Sequence, residues 1–294
     1  MTTRIRGSVG VLLGALILFL PLSASAQRGI DSKLFVPSMD SYGIFSVERA
    51  QTSHQWDFGF KLYVDYASNP LTLNMSDPST GKARSQVMID HQVGLSFGAH
   101  LGLTDWLEGA IMLPVSSQSY SSAYGKHGAA DDPTLARTGF YASSPYTNVP
   151  PPDASPGDVR LALKARLFRK SIVGLALAAI LTVPFGDDAA FQGDSNFTFR
   201  PVLIADLTRG PITFAINIGA IIRQETTVYD PYDVANKVAK PRILLDLSHE
   251  LTWSAGLAYR FVHWVGIAAE VYGYQPLVVK SGAHTDSTAD VHAD

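Results

Sequence analysis

The chain reads as an all-β protein, an antiparallel up-and-down transmembrane β-barrel of the outer-membrane type. Three observations carry this reading. Apolar and polar side chains alternate with a period of two over nine segments, the mark of strands that keep one face in an apolar medium. Short and long connections alternate between those segments, as in barrels with short periplasmic turns and long extracellular loops. The chain also opens with what reads as a cleavable export signal.

That signal occupies residues 1–26. Arg4 and Arg6 form its positive end, 9–22 its apolar core, and Ala24-Ser25-Ala26 an A-x-A cleavage site before Gln27. The apolar run is shorter than the roughly 20 residues of a spanning helix, and Pro21 interrupts its end. No later segment is an uncharged run long enough to span as a helix, so a membrane location requires strands. Charged residues make up only 17% of the chain, against about 25% in soluble domains. A net charge of −3 gives no case for nucleic acid, and the lack of cysteine excludes a disulfide framework or thiolate metal site.

Residues 27–54 read as a periplasmic lead-in, with a short strand available at 42–47, and 55–279 as the barrel. Segment 56–66 sets Trp56, Phe58, Phe60, Leu62, Val64 and Tyr66 against Asp57, Gly59, Lys61, Tyr63 and Asp65. Segment 87–103 sets Ile89, Val93, Leu95, Phe97, Leu101 and Leu103 against Asp90, Gln92, Ser96 and His100. Segment 106–117 is third, with Glu108 on its polar face. The fourth, GDVRLALKARLF, puts Val159, Leu161, Leu163, Ala165 and Leu167 on one face and Asp158, Arg160, Lys164 and Arg166 on the other. The fifth, IVGLALAAILTVPF, faces Val173, Leu175, Leu177, Leu181, Val183 and Phe185 one way and small residues the other. Segment 197–207 opposes Phe197, Phe199, Leu203 and Leu207 to Thr198, Arg200 and Asp206. Segment 212–223 opposes Ile212, Phe214, Ile216, Ile218 and Ile222 to Thr213, Asn217 and Arg223. Segment 245–261 opposes Leu247, Leu251, Trp253, Leu257, Tyr259 and Phe261 to Asp246, Ser248, Glu250, Thr252 and Arg260. Segment 264–277 opposes Val265, Ile267, Ala269 and Val271 to Glu270, Tyr272 and Tyr274.

Short turns fall at Thr104-Asp105, Arg169-Lys170-Ser171, Arg209-Gly210-Pro211 and Val262-His263. Long connections fall at 67–86, 118–156, 186–196 and 224–244. Aromatics near strand ends, among them Trp56, Tyr66, Trp106, Tyr259, Phe261, Trp264, Tyr272 and Tyr274, suit the girdles at headgroup level. Nine strands is odd, whereas bacterial single-chain barrels have an even number. Either 42–47 supplies a tenth, or the chain stops before its last strands. The second is favoured, because the polar tail 280–294 reads as an interrupted extracellular loop.

In hydrocarbon every backbone polar group must be paired, so strands close into a barrel with the polar face inward. The expected lumen-facing charges are Asp57, Lys61, Asp65, Asp90, Glu108, Arg160, Lys164, Arg166, Arg200, Asp206, Arg223, Asp246, Glu250, Arg260 and Glu270. Acids and bases nearly balance, which favours a salt-bridged, filled interior over an ion-selective channel of one sign. The stripe Arg160, Lys164 and Arg166 is a local exception that would attract anions if water reaches it.

No catalytic motif stands out: there is no Gly-x-Ser-x-Gly, His-Glu-x-x-His or phosphate loop. Ser248 and His249 are adjacent on a strand and point to opposite faces, so they are not partners. His91 and His249 read as rim histidines, with lipopolysaccharide phosphates the sharper alternative. Asp131-Asp132 and Asp187-Asp188 read as solvated loop acids rather than calcium ligands. The long loop 118–156 reads as variable surface.

Several stretches resemble OmpA-family outer-membrane proteins of deltaproteobacteria such as myxobacteria. They are FVPSMDSYGIFSVERAQTSHQWDFGFKLYVDYASNPL, GLTDWLEGAIMLPV, GDVRLALKARLF and LTVPFG, and the similarity runs over 34–277. The resemblance implies an N-terminal barrel followed by acidic calcium-binding repeats and a peptidoglycan-binding domain. Neither follows here, so peptidoglycan binding by this chain is not expected.

The functional expectation is therefore a non-catalytic outer-membrane barrel with a structural or surface role and no cofactor or metal. Its partners would be outer-membrane lipid, lipopolysaccharide and, during insertion, the barrel-assembly machinery. Two rivals stand: a porin- or transporter-like channel for small solutes, and a secreted soluble β-sandwich that binds a ligand.

Overall fold

The computed structural model describes residues 35–40, 42–76, 83–120, 154–187, 191–194, 196–224, 226–229, 243–262 and 265–277. Among these the strands are β1 (Phe58–Ser76), β2 (Ala83–Thr104), β3 (Leu107–Tyr120), β4 (Ala154–Pro156), β5 (Val159–Lys170) and β6 (Val173–Val183). They continue as β7 (Thr198–Arg209), β8 (Ile212–Arg223), β9 (Thr226–Tyr229), β10 (Ile243–Leu247), β11 (Glu250–Val262) and β12 (Val265–Pro276). One antiparallel sheet follows chain order, β1-β2-β3-β5-β6-β7-β8-β11-β12, with β4 added beside β3 and β9–β10 a separate hairpin. This single meander is the all-β topology that alternation and turn spacing predict; the main sheet is not divided into the two packed layers of a sandwich.

Three details differ from the sequence reading. β1 and β2 run 19 and 22 residues, well past the roughly 9–11 needed to span a bilayer, so much of the expected long connection 67–86 is strand. The eighth segment is broken at Ser248-His249: its start is β10, paired with β9, and only β11 joins the main sheet. Residues 42–47 form no strand; two reversals, Ser38 N–H to the Phe45 carbonyl (2.8 Å) and Ile44 N–H to the Val47 carbonyl (3.0 Å), fold them into a compact turn.

Tight links occur where expected. Asp105-Trp106 joins β2 to β3, Ser171-Ile172 joins β5 to β6, and Gly210-Pro211 joins β7 to β8. Ser171 and Gly210 take the left-handed backbone such two-residue turns demand, with φ of 55° and 58°. A bulge between Arg166 and Phe168 shifts the phase of β5, so Arg169 falls opposite Gly174 on the polar face.

The alternation has a physical result. Phe58, Phe60, Leu62 and Val64 on β1, Leu203 on β7, Ile218 on β8 and Leu257 on β11 are all exposed, Phe58 at 73% and Val64 at 71%. The opposite face is buried although much of it is polar: Gln92, Ser96, Glu108, Lys164, Asp206, Asn217, Thr252 and Ser254. Its apolar part is a small cluster of Met112, Ala176, Ala178, Ile180, Val202 and Ile204, packed on Met39 and Ala50 of the N-terminal segment. The sheet is thus turned inside out relative to a soluble protein.

Candidate functional site

Residues 35–54 lie against the polar face and are gripped by side chains from strands across the whole sheet. Tyr63 of β1 approaches Ser38 (3.4 Å between hydroxyls) and meets the Phe35 ring edge-on at 6.3 Å. At the other end of the sheet, Glu270 of β12 accepts from Ser46 N–H (2.8 Å), Ser46 Oγ (2.7 Å) and Val47 N–H (3.3 Å). Because the two end strands reach one short segment, and β10 lies beside β1, the sheet is curled around it. Among the described residues β1 and β12 are the ends of the sheet and are not paired with each other.

The grip satisfies the segment's backbone. A segment buried in a sheet's concavity needs partners for each N–H and C=O, and here, beside the two backbone reversals, many of them are side chains. Asn217 of β8 accepts from Glu48 N–H (2.8 Å) and donates to the Glu48 carbonyl (2.9 Å). Asp206 of β7 accepts from Ala50 N–H (3.2 Å), and Glu108 of β3 from Ser53 N–H (2.7 Å). Lys164 of β5 donates to the carbonyls of Arg49 (3.2 Å) and Gln51 (2.6 Å). Small residues make the room: a side chain at Gly174 would run into Asp206 and Ala50, and one at Gly256 would press on Ile44 (3.0 Å) and Val47 (3.2 Å).

Three ion-pair groups complete the arrangement. Lys164, 3% exposed, lies 3.0 Å from Asp40 and 3.8 Å from Glu108. Asp206 faces Arg49 at 3.5 Å and Arg169 at 3.8 Å. Arg223 bridges Asp194 (3.2 Å) and Glu250 (3.0 Å) at the long-loop end. There Asp158 accepts from the backbone N–H groups of Phe185, Gly186 and Asp194, tying the connection before β7 to β5.

The other expected inward charges are distributed as follows. Lys61 approaches Ser38 Oγ (3.4 Å), and Asp65 lies over Gly94. Asp90 is half-buried beside a bulge that also turns Ile89, expected outside, into a fully buried position. Arg166 donates to the Asp105 carbonyl (2.7 Å), so the anticipated basic stripe is split: Lys164 and Arg166 are committed to separate partners, and Arg160 lies buried nearer the long-loop end. Arg200 is half-buried at that same end. Asp57 and Arg260 are exposed near the short turns, and Asp246 belongs to the β9–β10 hairpin. His91 stacks on Tyr66 and shares a 2.8 Å hydrogen bond with it. His249 sits at the β10–β11 break, where its Nδ1 accepts from Arg223 N–H (3.4 Å). Asp131, Asp132, Asp188, the signal 1–26 and the tail 280–294 lie outside the described residues.

Asp40, Glu48 and Arg49 had no periodic pattern to reveal them. The signal that could have found them is three ionisable residues within a short stretch containing Gly43, ahead of a sheet whose polar face is rich in small residues.

Asp40 and Glu48 form a buried carboxyl pair. Burial first, then the Asp40 charge, push Glu48 up to about 8, against the pull of Lys164. Burial also opposes ionisation of Asp40, but Lys164, Lys61 and hydrogen bonds from Glu48 and Arg49 outweigh it and hold Asp40 below the usual value. Glu48 accordingly carries the proton and shares it with Asp40, while accepting from Met39 N–H (2.6 Å) and Asp40 N–H (3.0 Å). A raised carboxyl gives stability that is full below its ordinary value of 4.5 and is lost as pH rises through about 8. Docking of 35–54 should therefore loosen between about pH 5 and 9. Glu48→Gln, which keeps a donor toward Asp40 without the charge, should flatten that dependence. Amide exchange at Val47, Ala50 and Ser53 measures it; identical pH profiles in both proteins would contradict this assignment.

No family model matches the sequence, and no curated protein matches it. Among solved structures, an outer membrane channel from Pseudomonas putida is similar, with a TM-score of 0.43 and 14% identity over 76% of this chain and 74% of that one.

Proposed function

We propose that this chain is an integral outer-membrane β-barrel with a structural or surface-exposed role, non-catalytic, its lumen filled by its own residues 35–54. One observation carries the proposal: the outward face of the curled sheet is a continuous field of exposed large apolar side chains, while the inward face is polar and occupied. Such a field in water would far exceed the apolar patches of soluble monomers, whereas lipid accommodates it. The signal-like residues 1–26 support export. The OmpA-like character rests on the sequence motifs alone. Outer-membrane lipid, lipopolysaccharide and the assembly machinery are its partners under this reading.

A channel for small solutes is the second reading. It is favoured by the nature of the contacts, since a segment held largely by hydrogen bonds and ion pairs can exchange them for water. The test is to refold the mature chain into vesicles, float them, and record from planar bilayers. The structural reading expects flotation that survives alkaline carbonate and a silent bilayer. Steady unitary conductance would transfer the case to the channel, and a protein that stays in solution without detergent would remove both.

A further inference from the structure

Residues 35–54 can be followed through the sheet by the strand positions they meet. β2–β3, β5–β6, β7–β8 and β11–β12 are joined by short turns at one end of the sheet, and the longer connections lie at the other. The C-terminal side of the segment is fixed at the short turns. Thr52 Oγ1 donates to the Asp105 carbonyl (2.9 Å), Gln55 N–H donates to the Asp105 carboxylate (3.2 Å), and Arg49 reaches Thr208, next to the last residue of β7 (2.9 Å). Midway, Asp40 meets Lys164 (3.0 Å) and Ser46 meets Glu270 (2.7 Å), each partner the sixth of the 12 residues of its strand. Val36 lies farthest toward the long-loop end, where it faces one small space together with Arg200, Thr252 and Tyr274. Each of those three is the third residue from the long-loop end of its strand. Burial gives the same direction. Pro37, Ser38, Met39 and Asp40 are buried, Phe35 and Val36 are only half-buried, and at the opposite exit His54 is exposed.

Three routes are open in principle to the chain ahead of Phe35. Toward the short turns the lumen is filled by Asp40, Glu48, Ala50, Thr52 and Ser53 of the segment itself, all buried, and a close-packed interior has no room for a second pass. Sideways, between β1 and β12, which are not paired with each other among the described residues, the chain would carry Arg28, Asp31 and Lys33 into hydrocarbon, where charges are costly. The long-loop mouth is the remaining route. We infer that the chain enters the lumen from the long-loop end, so that the mature N-terminal residues stand at the outer surface beside the long loops. Which side is outside rests on the membrane reading above; the path of 35–54 does not. The partners of this charged end are then molecules outside the cell, and the N-terminal residues are not the periplasmic lead-in that the sequence suggests.

The chain has no cysteine, so single cysteines report cleanly. Ser32→Cys tests the N-terminal residues, Ser143→Cys marks the long connection 118–156, and Lys170→Cys marks a short turn. Intact Gram-negative cells making the full chain are treated with a polyethylene-glycol maleimide too large for porins, before and after the outer membrane is opened. Ser32→Cys is expected to label on intact cells to the same extent as Ser143→Cys, while Lys170→Cys labels only once the membrane is opened. Ser32→Cys that follows Lys170→Cys would overturn the inference, because the N-terminal residues would then lie in the periplasm. Ser32→Cys that labels only after denaturation would overturn it too, by placing them inside the lumen. Failure of the membrane reading looks different: Ser143→Cys and Lys170→Cys would then label alike, and the inference, which needs an outside, would fall with it.

Discussion

Replacing Lys164 by methionine should destabilise the curled sheet by about 3–5 kcal/mol, the largest single loss expected on the inward face. The ammonium is buried between Asp40 and Glu108 and also donates to the Arg49 and Gln51 carbonyls. Methionine fills its volume but leaves two carboxylates and two carbonyls facing an apolar thioether. An uncompensated buried charge is far costlier than the pair's own net contribution. The double change Lys164→Met with Asp40→Asn should therefore recover a substantial part of the loss, since it removes the nearest stranded charge. Urea unfolding of the refolded protein in micelles gives both values. A loss for Lys164→Met within the usual range of a surface substitution, about 0.5 kcal/mol, would show that residues 35–54 are not held as described. Amide exchange should localise the effect: Ala50 and Ser53, which donate to Asp206 and Glu108, should lose protection before the strands do.

On the outward face, Leu203→Arg should cost about 2–4 kcal/mol in a bilayer, the cost of a cation near the midplane of a barrel. Leu203 lies midway along β7, is 52% exposed, and pairs in register with Leu177 and Ile218. In water the same change at a half-exposed position would alter stability by only about 0.5 kcal/mol, and would improve solubility. The two media thus give opposite expectations for one substitution. Leu207→Arg, near the short-turn end of the same strand, should cost only about 0–1 kcal/mol in lipid, because the headgroup region is within reach. A depth-dependent penalty is the signature of a membrane; equal small effects at both sites would place the strand in water.

Much of this fold was legible because a strand's side-chain period is short and strict. In β6, VGLALAAILTV, a single phase error would put Leu175 and Leu177 where Gly174 and Ala176 now lie against residues 35–54. Local irregularity was not legible. A bulge inserts a residue without changing composition, so alternation alone puts Arg169 in a turn although its guanidinium approaches Asp206. The break at Ser248-His249 hides in the same way, inside a segment that alternates on both sides of it.

The site was only half readable. Glu108, Lys164, Asp206 and Glu270 could be placed on the inward face from alternation alone. Balanced charge suggests pairing on the inward face but does not say with whom. Most of these residues bind the backbone of 35–54 rather than one another, and a backbone group leaves no trace in a sequence. Residues 35–54 themselves have no period because they belong to no sheet. Their hydrogen bonds end on side chains such as Asn217 and Glu270 more than 160 positions away, and that pairing exists only once the sheet has curled.

The most direct test of the account places a nitroxide spin label singly at Val64, Leu203 and Leu257, in vesicles, and compares its accessibility to oxygen and to a water-soluble nickel chelate. All three side chains point outward and are exposed. The account expects high oxygen and low chelate accessibility at each, with contrast deepest at Leu203. Chelate reaching these labels as freely as oxygen would mean that the apolar face meets water, and the membrane assignment would be wrong.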